Sequence, residues 1–214
     1  MVRFGGMGDI LLATPALRAV SETFDTDAID VIVGRNMGDA VTGTRYVRRV
    51  TEWDKKGADG RLPNFIRFLA GLRRERYDLF LNFQPGTRSN LMAMASGAGR
   101  VITFRKDRRV QSGTGRVRHA IDDFTKELQP LGIRSVADRR MDFHIPESAR
   151  ESCRAKLADR GVTGRYLVVN PAATRLVNRY PPERFAGAIN AVTDALPGVT
   201  VVLSGAPNER DLAD

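Results

Sequence analysis

The chain has 214 residues, of which 42% are hydrophobic, and it lacks the run of about 20 apolar residues that a membrane-spanning helix needs. Its 34 Lys and Arg against 25 Asp and Glu leave a formal net charge of +9, which favours an anionic partner. One cysteine and two histidines argue against a disulfide framework or a Cys/His metal site, and the absence of a basic and then apolar leader predicts a cytoplasmic protein.

Short apolar runs alternate with helical patterns along the chain, which is typical of βαβ units and a parallel sheet. The predicted strands are 1–4, 28–33, 47–53, 77–82, 100–104, 166–170 and 199–203. The predicted helices run from the first glycines to about residue 22 and over 62–74, 88–96, 121–131, 147–160 and 183–196, with a short helix beginning at 39–41. Residues 113–118 are predicted to form a loop. The fold class expected from this order is α/β.

A glycine-rich turn, Gly5-Gly6-Met7-Gly8-Asp9, follows the first strand. Its glycines let the backbone turn sharply and let a ligand approach closely. It is not a dinucleotide-binding fingerprint, because the third glycine of that motif is missing. Asp9 is either a helix N-cap, the commoner role when the residue is taken alone, or a catalytic carboxylate. Pro15 is expected to kink or restart the helix. Such a distortion is more typical of a functional site than of a helix with only a structural role.

Two domains are expected. Residues 1–146 form the first, a charged amphipathic helix and the glycines at 161 and 164 form a linker over 147–164, and residues 165–214 begin the second. Because a doubly wound domain normally has five or six strands, the second domain is expected to be incomplete and the chain truncated at its C-terminus. The short first strand likewise predicts either a clipped N-terminus or a misassigned start codon.

The basic residues are concentrated in the first 120 positions. The clusters are Arg45 with Arg48 and Arg49, the segment 67–76, and the segment 100–118. An acidic glycolipid at a membrane surface fits this charge. Nucleic acid fits it too, but there is no helix-turn-helix, zinc-finger or RNP pattern, so nucleic acid is not the expected partner. A solvated arginine-rich surface is an equally weighted alternative.

Three ordered segments of the chain match a known set of motifs. They are residues 6–19, opening with Gly6-Met7-Gly8-Asp9; residues 77–89, where a strand leads to Gln84 and Arg88-Ser89; and residues 169–185 with 201–209. With these motifs the whole chain resembles the lipopolysaccharide heptosyltransferases of glycosyltransferase family 9. The resemblance implies the GT-B architecture, with an N-terminal Rossmann-like domain that holds the acceptor and a second Rossmann-like domain, here incomplete, that holds the nucleotide sugar.

By this resemblance Asp9 is the catalytic general base. The implied reaction is an inverting, metal-independent transfer of a heptose or related sugar from ADP-heptose to a lipopolysaccharide core-type acceptor, with no cofactor. The partners are then a nucleotide-sugar donor and an acidic glycolipid, met by peripheral association with the cytoplasmic membrane face. The chemistry agrees, since a sugar hydroxyl is a poor nucleophile until a positioned carboxylate takes its proton.

The leaving diphosphate needs donors or cations around it, and the resemblance assigns this role to Thr174, Arg175 and Arg179. These residues precede a helix that begins near Pro182, and a helix N-terminus attracts anions. Taken alone, Thr174 is an ordinary turn or cap hydroxyl. Asn178 stands where the family usually has a lysine, so Arg175 or Arg179 must supply the charge.

The acceptor residues expected in the first domain are Gly6, Gly8, Gln84, Arg88 and His119. Gln84 and Arg88 follow the carboxyl end of a strand, where open α/β sheets bind ligands. Packing on a helix surface is the alternative for Arg88. No metal ligands are expected.

Two rival hypotheses remain from the sequence. The first is a noncatalytic saccharide-binding relic, favoured by Asn178 and the early end of the chain but opposed by the intact Gly8-Asp9 turn. The second is a nucleic-acid-binding α/β protein, for which charge is the only support.

Overall fold

The computed structural model describes residues 1–105, 118–173, 176–206 and 209–210. The chain forms two compact units, Met1–Ile145 and Pro146–Asp214. The helix predicted as a linker lies in the second unit. Most of the third basic cluster and of the loop predicted at 113–118 lies outside the described residues.

The first unit is built on five parallel strands. They are β1 (Val2–Arg3), β2 (Ile29–Gly34), β3 (Val47–Trp53), β4 (Leu79–Asn82) and β5 (Arg100–Thr103). Their order in the sheet is β3-β2-β1-β4-β5, so the shortest strand lies at the centre. The predicted α/β class and strand positions are confirmed.

Helices cover both faces of this sheet. The helices of the first unit are α1 (Met7–Phe24), α2 (Leu62–Arg74), α3 (Thr87–Ser96) and α4 (Ala120–Lys126). In β2, Val31 and Val33 pack with α1 and α4, whereas Ile32 packs with α2 and α3. Because successive strand side chains point to opposite faces, a strand covered on both sides is an unbroken apolar run.

The predicted helix 121–131 is shorter in the structure. It divides into α4 and a 3₁₀ turn at Gln129–Leu131. Pro130 has no N–H and cannot donate to the carbonyl four residues earlier, so the α-helix ends. Gly132, at φ 85°, then turns the chain away.

The described residues of the second unit form two parallel strands and two helices. These are α5 (Glu147–Ala158), β6 (Tyr166–Val169), α6 (Pro182–Ala195) and β7 (Thr200–Leu203), with a 3₁₀ turn at Leu176–Asn178. This is the βαβ pattern expected from the sequence. Within the described parts of the chain, no helix is long and apolar enough to cross a lipid bilayer.

The helix α1 runs through Pro15 as one element of 18 residues, so the expected restart does not occur. Pro15 cannot donate a hydrogen bond to the carbonyl oxygen of Leu11. The hydroxyl of Thr14 donates to that oxygen instead, at 2.7 Å. The Thr-Pro pair therefore leaves the carbonyl satisfied and the helix continuous.

A cluster around Arg18, which we call the clasp, ties the segment 138–142 to α1. Arg18 is buried and pairs with Asp138 and Asp142, each at 2.8 Å. The hydroxyl of Tyr46 donates to Asp142 at 2.7 Å, and the backbone N–H of Asp142 donates to the Thr14 hydroxyl at 2.9 Å. Burial and the hydrogen bond to Asp142 raise the pKa of Tyr46 far above its usual value, so Tyr46 remains a neutral donor.

A second charged cluster surrounds Asp30 near the amino end of β2. Its side chain is only 7% exposed and accepts hydrogen bonds from Arg48 at 2.7 Å, Arg49 at 2.5 Å and the Tyr77 hydroxyl at 2.6 Å. Burial raises the pKa of Asp30, but these hydrogen bonds outweigh burial and hold the pKa well below its usual value. Burial and the bond to Asp30 raise the pKa of Tyr77 to about 12.

The clasp predicts a large loss of stability in Arg18→Ala. This substitution leaves two carboxylates without their shared cation, and we expect the free energy of unfolding to fall by about 3 kcal/mol. Urea unfolding followed by the fluorescence of the single, buried Trp53 measures this in the first unit. Arg45→Ala, which breaks an exposed pair with Glu22, is the control and should cost less than about 0.5 kcal/mol. Equal losses in both variants would contradict the clasp.

The Asp30 cluster predicts a pH-dependent contribution to stability. Since the folded pKa of Asp30 is depressed, its contribution is present above the unfolded value of about 3.9 and is lost as the pH falls below it. Asp30→Asn should therefore lower the free energy of unfolding by roughly 2 kcal/mol at pH 7, and by less at pH 3. Urea titrations at both pH values test this, with the exposed Asp27→Asn as control. A deficit that is the same at both pH values would count against it.

Candidate functional site

The candidate site lies where the order of the strands reverses. The strands β1 and β4 are neighbours in the sheet, and their following helices, α1 and α3, pack on opposite faces. The loops that leave two such strands separate and open a crevice at the carboxyl edge, which is the usual ligand position in open α/β sheets. The glycine turn and the loop beginning at Phe83 line this position.

One side chain joins the two loops. The Oε1 atom of Gln84 accepts hydrogen bonds from the backbone N–H groups of Phe4 and Gly5, both at 2.8 Å. A Cβ on Gly5 would lie 3.4 Å from that oxygen, so the turn passes close against the amide. Gln84, predicted as an acceptor residue, therefore holds the conformation of the glycine turn.

Gly6 and Gly8 differ in backbone conformation and in the space that a side chain would have. Gly6 is the N-cap of α1 at φ 60°, and a Cβ there would lie 3.1 Å from Oδ2 of Asp9. Few residues other than glycine adopt this conformation. Gly8 lies within α1, has no positive φ, and a Cβ there would meet nothing within 4 Å. Its glycine costs helix stability without a local steric reason.

Asp9 lies in the first turn of α1 and is not the N-cap, so the capping interpretation is wrong. The backbone of Gly6 takes the cap position, and its carbonyl accepts the first helical bond from Ile10 at 3.1 Å. The Asp9 side chain is 41% exposed, and its Oδ2 atom accepts a hydrogen bond from Arg3 at 2.6 Å. The site thus presents a partly exposed carboxylate, with one oxygen engaged, at a helix N-terminus that stabilises negative charge.

Sequence reasoning missed Arg3. It ends β1 and is 15% exposed, with Nη1 donating to the carbonyl oxygen of Phe83 at 2.8 Å. Its guanidinium carbon lies 5.6 Å from the ring centroid of Phe124 in α4. The available signal was a charged residue inside the apolar strand that leads directly into the glycine turn.

Arg88 and His119 make local contacts in the structure. Arg88 donates to the carbonyl oxygens of Lys55 at 3.2 Å and Gly60 at 3.0 Å, and it packs over the ring of Phe65. His119 is exposed and caps α4, with Nδ1 accepting from the N–H of Ile121 at 3.3 Å. Their predicted roles as acceptor ligands remain predictions.

The predicted donor residues belong to the second unit. Thr174 and Arg175 lie outside the described residues. Arg179 follows the 3₁₀ turn that contains Asn178, and its Nε donates to the carbonyl oxygen of Ala173 at 3.0 Å. Throughout the described ranges, no group of three or more His, Cys, Asp or Glu side chains could hold a metal ion.

The sequence resembles known glycosyltransferases. The family model of glycosyltransferase family 9 (heptosyltransferase) matches residues 65–214. Lipopolysaccharide heptosyltransferase 3 of Escherichia coli is 23% identical over 218 residues, covering 96% of this chain and 63% of that protein. The chain therefore spans less than two thirds of the length of this relative.

Solved structures share the fold. A glycosyl transferase family 9 protein from Veillonella parvula DSM 2008 has a TM-score of 0.85 at 19% identity, over 99% of this chain and 64% of that one. The Escherichia coli heptosyltransferase WaaC with ADP-2-deoxy-2-fluoro heptose has a TM-score of 0.66 at 20% identity, over 99% and 70%. These likenesses confirm the predicted fold class, α/β of the GT-B type.

The two glycines predict opposite effects on stability. Gly6→Ala places a side chain at positive φ against Asp9, and we expect the free energy of unfolding to fall by about 1–2 kcal/mol. Gly8→Ala enters open space in a helix and should raise it by up to about 1 kcal/mol. Urea unfolding monitored at Trp53 compares the two. A loss of stability in Gly8→Ala would refute the open space described here.

Proposed function

Because the chain belongs to glycosyltransferase family 9, we propose that it transfers a heptose, or a related sugar, from a nucleotide-linked donor to a lipopolysaccharide core-type acceptor. The observation that carries the proposal is the Asp9 carboxylate, which is partly exposed at the switch point of the sheet and has one oxygen held by Arg3. The bound ADP-2-deoxy-2-fluoro heptose of WaaC supports ADP-heptose as the donor.

In the proposed reaction Asp9 acts as general base. The acceptor hydroxyl oxygen attacks the anomeric carbon of the donor sugar, and its proton passes to the Asp9 carboxylate as the new C–O bond forms. The bond between that carbon and the diphosphate breaks, and the nucleoside diphosphate leaves with the electron pair. Attack from the face opposite the leaving group inverts the anomeric centre.

The acceptor is proposed to approach over the glycine turn. Gly8 adds no side chain to the first turn of α1, and Gly6 adopts the positive φ with which the turn enters that helix. The Oε1 atom of Gln84 already accepts two backbone N–H groups, so its amide nitrogen is the group left to contact a ligand. Arg88 and His119 are proposed to meet acidic groups of the acceptor.

The donor diphosphate is proposed to bind in the second unit, near Thr174, Arg175 and Arg179. Arg179 uses its Nε on the carbonyl of Ala173, which orients the guanidinium and leaves the two terminal nitrogens for phosphate oxygens. With Asn178 in place of the usual lysine, this arginine is the described cation best placed for the leaving group. No metal ion enters the proposed transfer.

The acceptor class implies a location. We propose that the protein is cytoplasmic and meets its glycolipid by peripheral association with the inner face of the membrane. The net charge of +9 supports this, since basic surfaces are attracted to anionic lipid headgroups.

The test of the proposed function is Asp9→Asn, assayed in the chain as its gene encodes it with ADP-heptose and a heptose-free lipopolysaccharide core. Loss of the base should lower kcat by about 10²–10⁴-fold while leaving donor binding, measured by calorimetry, unchanged. Asp25→Asn, an equal charge change at the other end of α1, is the control and should keep full activity.

Two results would count against this function. If Asp9→Asn retains most of its transfer, Asp9 is not the base. If the unsubstituted chain binds core saccharide without any turnover, the hypothesis of a noncatalytic saccharide-binding relic is favoured over that of an enzyme.

A further inference from the structure

We propose that Arg3 is the positioning residue of Asp9: it holds Oδ2, so that Oδ1 is the atom that takes the proton from the acceptor. The inference rests on the proposed function of Asp9 as general base. It adds a residue that the sequence did not identify and assigns different tasks to the two carboxylate oxygens.

The Arg3 guanidinium is held on three sides. Its Nη1 donates to the carbonyl oxygen of Phe83 at 2.8 Å, its central carbon lies 5.6 Å from the ring centroid of Phe124, and its Nη2 donates to Oδ2 of Asp9 at 2.6 Å. The residue ends the central strand and is mostly buried. Because its other contacts are with the sheet edge and with α4, Arg3 is fixed in position and restricts the motion of the Asp9 carboxylate.

Asp9 has little else to orient it. Its side chain is 41% exposed, and among the described residues no hydrogen bond to Oδ1 is formed. The torsion that rotates a carboxylate is broad, so without Arg3 the two oxygens would exchange positions freely. A base must stay aligned with the proton that it removes, and loss of alignment lowers the rate of the chemical step.

The geometry requires the fork of an arginine. Two nitrogens of one guanidinium reach two acceptors, the Phe83 carbonyl and Asp9, in fixed directions. The third, Nε, is buried and has no hydrogen-bond partner in the described structure. The orientation that serves both acceptors therefore leaves the Nε–H donor unsatisfied, and an unsatisfied buried donor lowers stability. An ion pair that served stability alone would not need this orientation.

The experiment compares Arg3→Ala, Arg3→Lys and Asp9→Asn with the unsubstituted chain, using ADP-heptose and the heptose-free core. Arg3→Ala should lower kcat by about 10–100-fold with KM for ADP-heptose unchanged, because alignment affects the transition state and not donor binding. Arg3→Lys should recover only part of the loss, since an ammonium group lacks the fork.

A double-mutant cycle separates positioning from a general effect on the fold. If Arg3 acts through Asp9, adding Arg3→Ala to Asp9→Asn should cause no further loss of kcat. Glu22→Gln, which breaks an exposed ion pair with Arg45 elsewhere in the first unit, is the control and should leave kcat unchanged. Trp53 fluorescence checks that each variant is folded.

If Arg3→Ala does not fold, Arg3→Lys and Phe124→Leu carry the test. Phe124→Leu removes the aromatic ring near the guanidinium and leaves both hydrogen bonds of Arg3, so it should lower kcat less than Arg3→Lys. A kcat for Arg3→Lys equal to that of the unsubstituted chain would overturn the proposal.

The outcomes for Arg3 and for Asp9 are distinguishable. Independent, additive losses from Arg3→Ala and Asp9→Asn would refute the positioning role and leave the proposed function standing. Absence of transfer by the unsubstituted chain would refute both.

Discussion

The hydrogen bonds from Phe4 and Gly5 to the amide oxygen of Gln84 are the contacts on which the candidate site depends. Phe4 and Gly5 directly follow the end of β1, and both of their backbone N–H groups need an acceptor there. Gln84 supplies one oxygen for both groups. The conformation of the glycine turn, and with it the start of α1 and the position of Asp9, follows from that contact.

The helix α1 serves both the site and the fold. Its first turn carries Asp9, and its middle carries Thr14, which satisfies the Leu11 carbonyl that Pro15 leaves free and accepts the backbone N–H of Asp142. One turn further, Arg18 binds the carboxylates of the clasp. A motif that looks like a single functional signature in the sequence therefore contains residues with separate structural tasks.

Some of the arginines that give the chain its positive charge are bound by partners within the fold. Arg48 and Arg49, which the composition suggested as part of a surface for an anionic partner, bind Asp30 within the fold. Arg88 is likewise engaged, by the carbonyls of Lys55 and Gly60. An excess of arginine thus indicates an affinity for anions only after its internal partners are known, since a paired guanidinium has fewer donors left for a ligand.

Local patterns in the sequence determined the order of strands and helices along the chain, the α/β class and the choice of Asp9 as a candidate catalytic residue. They could do so because apolar periodicity and glycine conformations act over a few residues. They wrongly predicted that the helix could restart at Pro15, where the Thr14 hydroxyl satisfies the free carbonyl of Leu11, and they missed Arg3. Only the tertiary structure decided that Gln84 would hold a turn 80 residues away and that Arg18 would bind Asp142, 124 residues later. Such partners are set by how distant segments pack together in the fold, which no local pattern of residues specifies.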